Sequence, residues 1–449
     1  MLKLFLMVII LAGNMILMSK SHFFLNISYI VPIVILLYFV INIWYLYKYR
    51  RNKLFCFELL FALSFFCCSF LTPFVYPMLD SWQSRIFIHS DFIISKTYLV
   101  CFLGYCSYLL PLTFQSNIHI EYYSTLKFNN KSVQFTNIIT FLFIVLFYIM
   151  GGSSLLTLYS SMDTLDSLSN RFSGWGQYLG YAQLAYIISV IINLGSDRIY
   201  TKNFISLIKV LPKLFLFNSM LLVVPLLLSG LRSRALEVII PILMVYGFLI
   251  RQLTFKDIAL ILGITFVVMQ IIGLTRTGDS LDSTNISFIT YVRDFIPANA
   301  ANTYLIDYAD RHGPTMGGNM ILPILSIVPF LQSFYLAIFT DVAIDPMSSS
   351  FFTNSFDSWS GLGTGIIGDL YYTFGLIGVL ILMFLYGFFL RMMYCSKKRS
   401  AFAVLVLLTG NAIFAPRVEY SYMIRTIVWG ALLLYIIISL TNNKKGITV

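Results

Sequence analysis

Charge is scarce in this chain. Only 11% of its 449 residues are Asp, Glu, Lys or Arg, against 59% apolar residues, and the mean hydropathy is +0.84. No water-soluble fold hides that surplus, so the bilayer must be the solvent. Histidine is scarcer still: there are four, none at the spacing of metal ligands, which argues against a zinc site. The six cysteines (Cys56, Cys67, Cys68, Cys101, Cys106 and Cys395) form no CxxC, and all but the last lie in or beside apolar runs, where they read as small core residues. Repeats, heptads and low-complexity linkers are also missing, which leaves one integral membrane domain over 1–449.

What is present is a series of continuous apolar runs, each about 20 residues long, which fits helices rather than the alternating strands of a barrel. Candidate spans lie near 2–18, 27–47, 55–75, 92–112, 135–151, 177–194, 210–229, 235–250, 257–274, 365–390, 401–416 and 422–440. The first of them, behind Lys3, lacks a small-x-small cleavage site before Lys20 and reads as a span, not a signal peptide. The net charge of +11 is spread over short loops and is no nucleic-acid footprint. Its clusters are Lys48 to Lys53, Lys127 with Lys131, Arg198 to Lys213, Arg251 with Lys256, Lys397 to Arg399, and Lys444-Lys445. All fall on one side of an all-α bundle of about twelve transmembrane helices, so that side and both termini are expected in the cytoplasm.

The apolar run Met320 to Phe339 is long enough to cross but contains Pro323 and Pro329. Crossing there would place Lys397 to Arg399 on the outside, against the charge rule. The run is therefore expected as a short re-entrant or interfacial helix within one large external loop, 275–364.

Lysine is nearly confined to the cytoplasmic loops, with Lys20 and Lys96 as exceptions, whereas the outer cations are arginines: Arg85, Arg171, Arg232, Arg234, Arg276, Arg293, Arg311, Arg417 and Arg425. Guanidinium is a planar, permanently charged fork that binds phosphate bidentately, so an outer-leaflet anion such as pyrophosphate is the expected ligand. Arg85, Arg293 and Arg311 have Asp80, Asp294 and Asp310 close by and read first as snorkelling or ion-paired surface residues. Arg232 and Arg234 stand in the tight break Ser229-Gly-Leu-Arg-Ser-Arg234, where the next helix begins and its free amides add positive potential, and Glu237 lies three residues on to orient the second arginine. Arg171 belongs to the glycine-bearing entry Ser169-Asn-Arg-Phe-Ser-Gly174-Trp-Gly176, and Arg276 closes the ninth span. Arg417 and Glu419 share a short external turn, and Arg425 lies deep enough in the last span to need a partner or a wet cavity.

Three Asp-x-x-Asp pairs, Asp163/Asp166, Asp279/Asp282 and Asp307/Asp310, have a spacing that suits a divalent metal but reads more simply as solvated loop faces. No metal and no cofactor is expected. A general base would come from Asp369, Glu419 or His312. Asp369 leads, since glycines surround it at the head of a span, although a carboxylate there is also an ordinary helix cap. Trp359, Tyr371 and Tyr372 could stack on sugar faces or belong to an interfacial belt.

The stretch Gly361-Leu-Gly-Thr-Gly-Ile-Ile-Gly-Asp369-Leu-Tyr-Tyr-Thr-Phe-Gly375-Leu-Ile-Gly378 resembles the Wzy-type O-antigen and oligosaccharide repeat-unit polymerases, as do the break at Gly230 to Arg234 and the Arg171 entry. The resemblance implies a GT-C-like fold in a bacterial inner membrane. It also implies a glycosyltransferase that joins undecaprenyl-pyrophosphate-linked oligosaccharides at the periplasmic or outer face, with membrane lipids and a chain-length regulator protein as partners. In that chemistry Asp369, Arg232, Arg234 and Arg171 would be catalytic. Arg276, Arg417, Glu419, Arg425, His312, Tyr371 and Tyr372 would bind substrate. Two other activities share the span plan: an O-antigen ligase, which delivers glycan to lipid A core, and a lipid-linked oligosaccharide flippase. The flippase fits less well, because no two similar halves are evident here.

Overall fold

The computed structural model describes residues 27–49, 56–75, 86, 90–114, 128–152, 175–196, 204–228, 232–251, 253–254, 256–258, 260–261, 263, 295–328, 331–338, 345–356, 362–396 and 398–441. Among them there is no β-strand, only an isolated bridge between Phe128 and Ser196. The helices that concern the site are α1 (Ile27–Tyr49), α2 (Phe57–Ser69), α3 (Asp91–Thr113), α4 (Asn130–Ile149), α5 (Trp175–Leu194), α6 (Lys213–Leu228), α7 (Arg232–Leu249) and α8 (Ile296–His312). They continue with α9 (Ile321–Leu325), α10 (Leu331–Ile338), α11 (Ser348–Ser355), α12 (Ile366–Cys395), α13 (Arg399–Gly410) and α14 (Tyr422–Thr441). Among the described residues, five segments are long and apolar enough to cross a membrane: Ile30–Tyr49, Asp91–Thr113, Asn130–Ile149, Ile366–Cys395 and Tyr422–Thr441. Their outward faces are apolar, with Leu36, Ile43, Leu142, Ile377 and Leu440 all exposed, while polar groups turn inward. Asn137, Ser189, Asn193 and Asn218 bond one another's amides, hydroxyls and backbone between α4, α5 and α6. Apolar outside and hydrogen-bonded inside is the arrangement a lipid solvent demands, and the chain is a multi-pass membrane protein.

Hydrogen bonds sort the helix termini into two ends. Tyr45 and Tyr394 both donate to the Glu58 carboxylate, at 3.1 and 2.8 Å. Phe128 N–H reaches Gly195 O, and Asn129 reaches Thr441 O at 3.4 Å. One end therefore holds the close of α1, α5, α12 and α14 and the start of α2 and α4, and it carries Lys48, Lys131, Lys398 and Arg399. The opposite end carries Arg234, Arg311, Arg417 and Arg425, with Lys96.

Across that arginine end lies α8, packed on α2, α3 and α12. Its polar groups are matched: Asn299 Nδ2 donates to Ser69 O at 2.7 Å, and Asn302 Oδ1 accepts Gly368 N–H at 2.7 Å. The approach is close because Gly368 lacks a side chain: a Cβ there would stand 2.8 Å from Asn302 Cα. Gly375, at φ +67°, then kinks α12.

The described part of the run Met320 to Phe339 holds two short helices, α9 and α10, a strap tied to the last helix by Trp429 Nε1–H donating to Ile327 O at 2.9 Å. Two span boundaries differ from the sequence reading. The eleventh expected span stops at Gly410, where a Cβ would meet Pro241, and the chain runs through a turn into the 3-10 turn Ala415–Arg417. The third stops at Ser69 before a short helix, Thr72–Val75.

Candidate functional site

A cavity of about 330 Å³ opens at the arginine end, between α5, α7, the strap and the start of α14. Among the described residues, four charged ones line it: Arg234, Glu237, Glu419 and Arg425. They come from three elements that the fold brings together over long chain distances. Arg234 and Glu237 occupy the first turns of α7, three residues apart, so they share one helix face. Glu419 belongs to the turn between the Ala415–Arg417 turn and α14, and Arg425 to the first turn of α14.

Arg234 Nη1 donates to Glu237 Oε2 at 2.9 Å and to Tyr422 Oη at 3.3 Å, and its carbonyl accepts Gln183 Nε2–H at 2.9 Å. The ion pair is asymmetric in exposure, 37% for the arginine side chain and 10% for the glutamate. The acid is thus the buried anchor and the guanidinium keeps an open edge to the cavity. Arg425 is exposed and has no ion-pair partner among the described residues. A cation at a membrane boundary without an acid is available to a ligand anion. Glu419 is buried at 9% and accepts the Ser349 hydroxyl of α11. No cation pairs with it among the described residues. The cavity therefore offers two guanidinium groups to an anion and one lightly bonded carboxylate to a proton. Its remaining wall is mixed, with Gln332 and Ser326 from the strap beside Leu322 and Pro323.

Asp369, expected as the leading acid, stands behind this wall rather than in it. It is 1% exposed. Its Oδ1 accepts Ser348 Oγ–H at 2.7 Å and Asn319 Nδ2–H at 3.3 Å, and its Oδ2 accepts Tyr420 N–H at 2.9 Å. Burial pushes the neighbouring Tyr420 phenol up to about 12, which keeps it a neutral donor, bonded to Leu382 O at 3.1 Å. Arg417 also turns away from the cavity, its guanidinium 5.9 Å from the centre of the Phe295 ring.

Tyr371 and Tyr372 of α12 and His312 of α8 lie apart from the cavity, where these two helices pack together. Tyr371 Oη donates to Asp310 Oδ1 at 2.8 Å, and Lys96 pairs with the same acid at 2.6 Å. Tyr372, 2% exposed, stacks on Phe351. His312 is exposed, stacked on Tyr308, with Nδ1 3.1 Å from Tyr308 O. Arg311 pairs with Asp307 one turn back at 2.8 Å, not with Asp310.

Arg171, Arg276, Arg85, Arg293, Trp359, Asp163/Asp166, Asp279/Asp282 and the first span lie outside the described residues, as does the side chain of Arg232, which opens α7. Among the described residues no three His, Cys, Asp or Glu side chains gather as a metal site. Gln183, Tyr422, Ser348, Ser349 and Asn319 went unnoticed in the sequence. Their only signal there is polarity within or beside apolar runs.

A family model described as O-antigen polysaccharide polymerase Wzy matches residues 1–445. No curated protein and no solved structure matches the chain.

Proposed function

From the premise that this chain belongs to the Wzy family of O-antigen polysaccharide polymerases, we propose that the cavity at its arginine end is the polymerisation centre. It would face the outside of a bacterial inner membrane from a GT-C-like bundle of about twelve spans, with the termini in the cytoplasm. The substrates are undecaprenyl-pyrophosphate-linked oligosaccharides, on whose growing product a chain-length regulator protein would act. The observation that carries the reading is the convergence of Arg234, Arg425 and Glu419 on one cavity.

In the transfer, a hydroxyl of the acceptor's terminal sugar attacks the anomeric carbon of the donor glycan. The bond from that carbon to the pyrophosphate oxygen breaks, and undecaprenyl pyrophosphate leaves with the electron pair. Negative charge grows on the departing phosphate, so guanidinium groups already in place stabilise the transition state more than the ground state. Arg425 and the open edge of Arg234 supply that field, and the expected contributions of Arg232, Arg171 and Arg276 belong to the same anion clamp. The hydroxyl proton passes to Glu419, the cavity carboxylate that, unlike Glu237, pairs with no cation among the described residues.

The test is a polymerase-deletion strain complemented with Arg425→Ala, Arg234→Ala, Arg171→Ala or Glu419→Gln. Single-repeat glycan on a ladder gel, with the protein inserted at its normal level, supports the reading. Normal long chains in all four would remove it.

A further inference from the structure

We propose that Asp369 is a positioning residue that braces Glu419, and not the acid or base of the transfer. The inference rests on the cavity being the polymerisation centre. Its basis is the way one carboxylate ties three separate pieces of chain. Oδ2 takes Tyr420 N–H, which fixes the turn immediately after Glu419. Oδ1 takes Ser348 Oγ–H, and the next residue, Ser349, donates its own hydroxyl to the Glu419 carboxylate. Glu419 is therefore held from two sides, through Tyr420, whose N–H Asp369 accepts, and through Ser349, whose chain neighbour Ser348 is bonded to Asp369. The third tie, Asn319 Nδ2, is shared with Thr373 Oγ1 at 2.9 Å and brings in the start of the strap that walls the cavity.

The same geometry argues against proton transfer at Asp369. Both oxygens accept bonds from protein donors, the side chain is buried at 1%, and no cavity atom belongs to it. A general base must come within hydrogen-bond reach of the substrate hydroxyl. Glu419 does line the cavity, and its one side-chain bond leaves lone pairs free.

Charge and shape separate the two roles. An amide has the shape of a carboxylate: its oxygen can still accept Tyr420 N–H while its nitrogen donates to Ser348 Oγ, and only the Asn319 tie, then between two nitrogen donors, is given up. Asp369→Asn should thus keep the brace but lose any basicity. Asp369→Leu loses both.

The experiment uses the full-length polymerase in membranes and lipid-linked repeat units extracted from the deletion strain. Initial rates of chain growth are followed against substrate concentration and pH. Asp369→Asn is expected to keep kcat within about threefold of the parent, with the acidic limb of its pH profile unmoved. Glu419→Gln should lose about a hundredfold. Asp369→Leu should lower kcat about thirtyfold with KM little changed, and Ser348→Ala, a milder cut in the same brace, about fivefold. An Asp369→Asn enzyme as inactive as Glu419→Gln, at equal protein level, overturns the bracing role and leaves the cavity reading standing. Full activity in Glu419→Gln removes the base that the brace serves and overturns the brace, whereas normal long chains in the arginine variants as well overturn the cavity reading.

Discussion

Arg234 binds Glu237 one turn along its own helix, Nη1 to Oε2 at 2.9 Å, so half of its charge is already answered before any ligand arrives. Arg425, across the cavity, has no acid partner among the described residues. The two arginines should therefore be unequal. Arg425→Ala is expected to slow chain growth by on the order of a hundredfold, the usual loss when one preorganised donor is removed. Arg234→Ala should cost about tenfold, since its charge is partly balanced. Arg425→Lys should recover little, because an ammonium lacks the fork that grips phosphate. Initial rates of polymer formation measure all three.

Gly180 lines the cavity from α5, and a Cβ built there would meet nothing within 4 Å. Gly180→Ala should therefore leave both insertion and polymer length unchanged. Gly180→Trp adds an indole to the space a substrate must occupy, and the expected outcome is single-repeat glycan from a protein present at its normal level. Long chains from Gly180→Trp would show that the substrate uses another route.

Much of this architecture is legible in the linear sequence because lipid leaves few choices. An apolar run of about 20 residues between polar loops must be a helix, and the lysine clusters sort the helix ends. Those clusters do gather at one end of the bundle where described. The start of α7 at Arg232 was readable from the glycine-bearing, arginine-rich end of an apolar run. The surroundings of Asp369 were not readable. A glycine-rich approach to an acid looks alike whether the bare backbone receives a ligand or a neighbouring helix, and only the fold brings Asn302 against Gly368. Ser348 and Tyr420, which occupy the carboxylate, are 21 and 51 residues away in the chain. The end of the eleventh span was hidden too, because Gly410, Asn411 and Pro416 act through packing on Pro241 and turn geometry that hydropathy does not record.

The glycine-rich stretch gives its own prediction. Gly368→Ala drives a Cβ to 2.8 Å from Asn302 Cα, a backbone atom that cannot step aside. Overpacking of this kind costs about 1–3 kcal/mol. A lower thermal unfolding midpoint in detergent is the expected result, in contrast to an unmoved one for Gly180→Ala. Equal midpoints for the two would mean that α8 does not press on α12.

Orientation is open to labelling. In a background with the native cysteines replaced, a single cysteine at Gln332 or Arg425 should react with a membrane-impermeant maleimide added to intact spheroplasts. Cysteines at Lys131 or Lys398, at the other end of the bundle, should react only after the membrane is permeabilised. The reverse pattern would put the cavity on the wrong side for a polymerase working outside.

Binding of the departing lipid is the most direct test of the anion clamp. Purified polymerase is titrated with undecaprenyl pyrophosphate and with undecaprenyl monophosphate, and the lipid retained is counted by native mass spectrometry. Tighter retention of the pyrophosphate by the parent, reduced about a hundredfold in Arg234→Ala/Arg425→Ala, is the result expected of two guanidinium groups that hold a diphosphate. Equal retention by the parent and the double variant would contradict it.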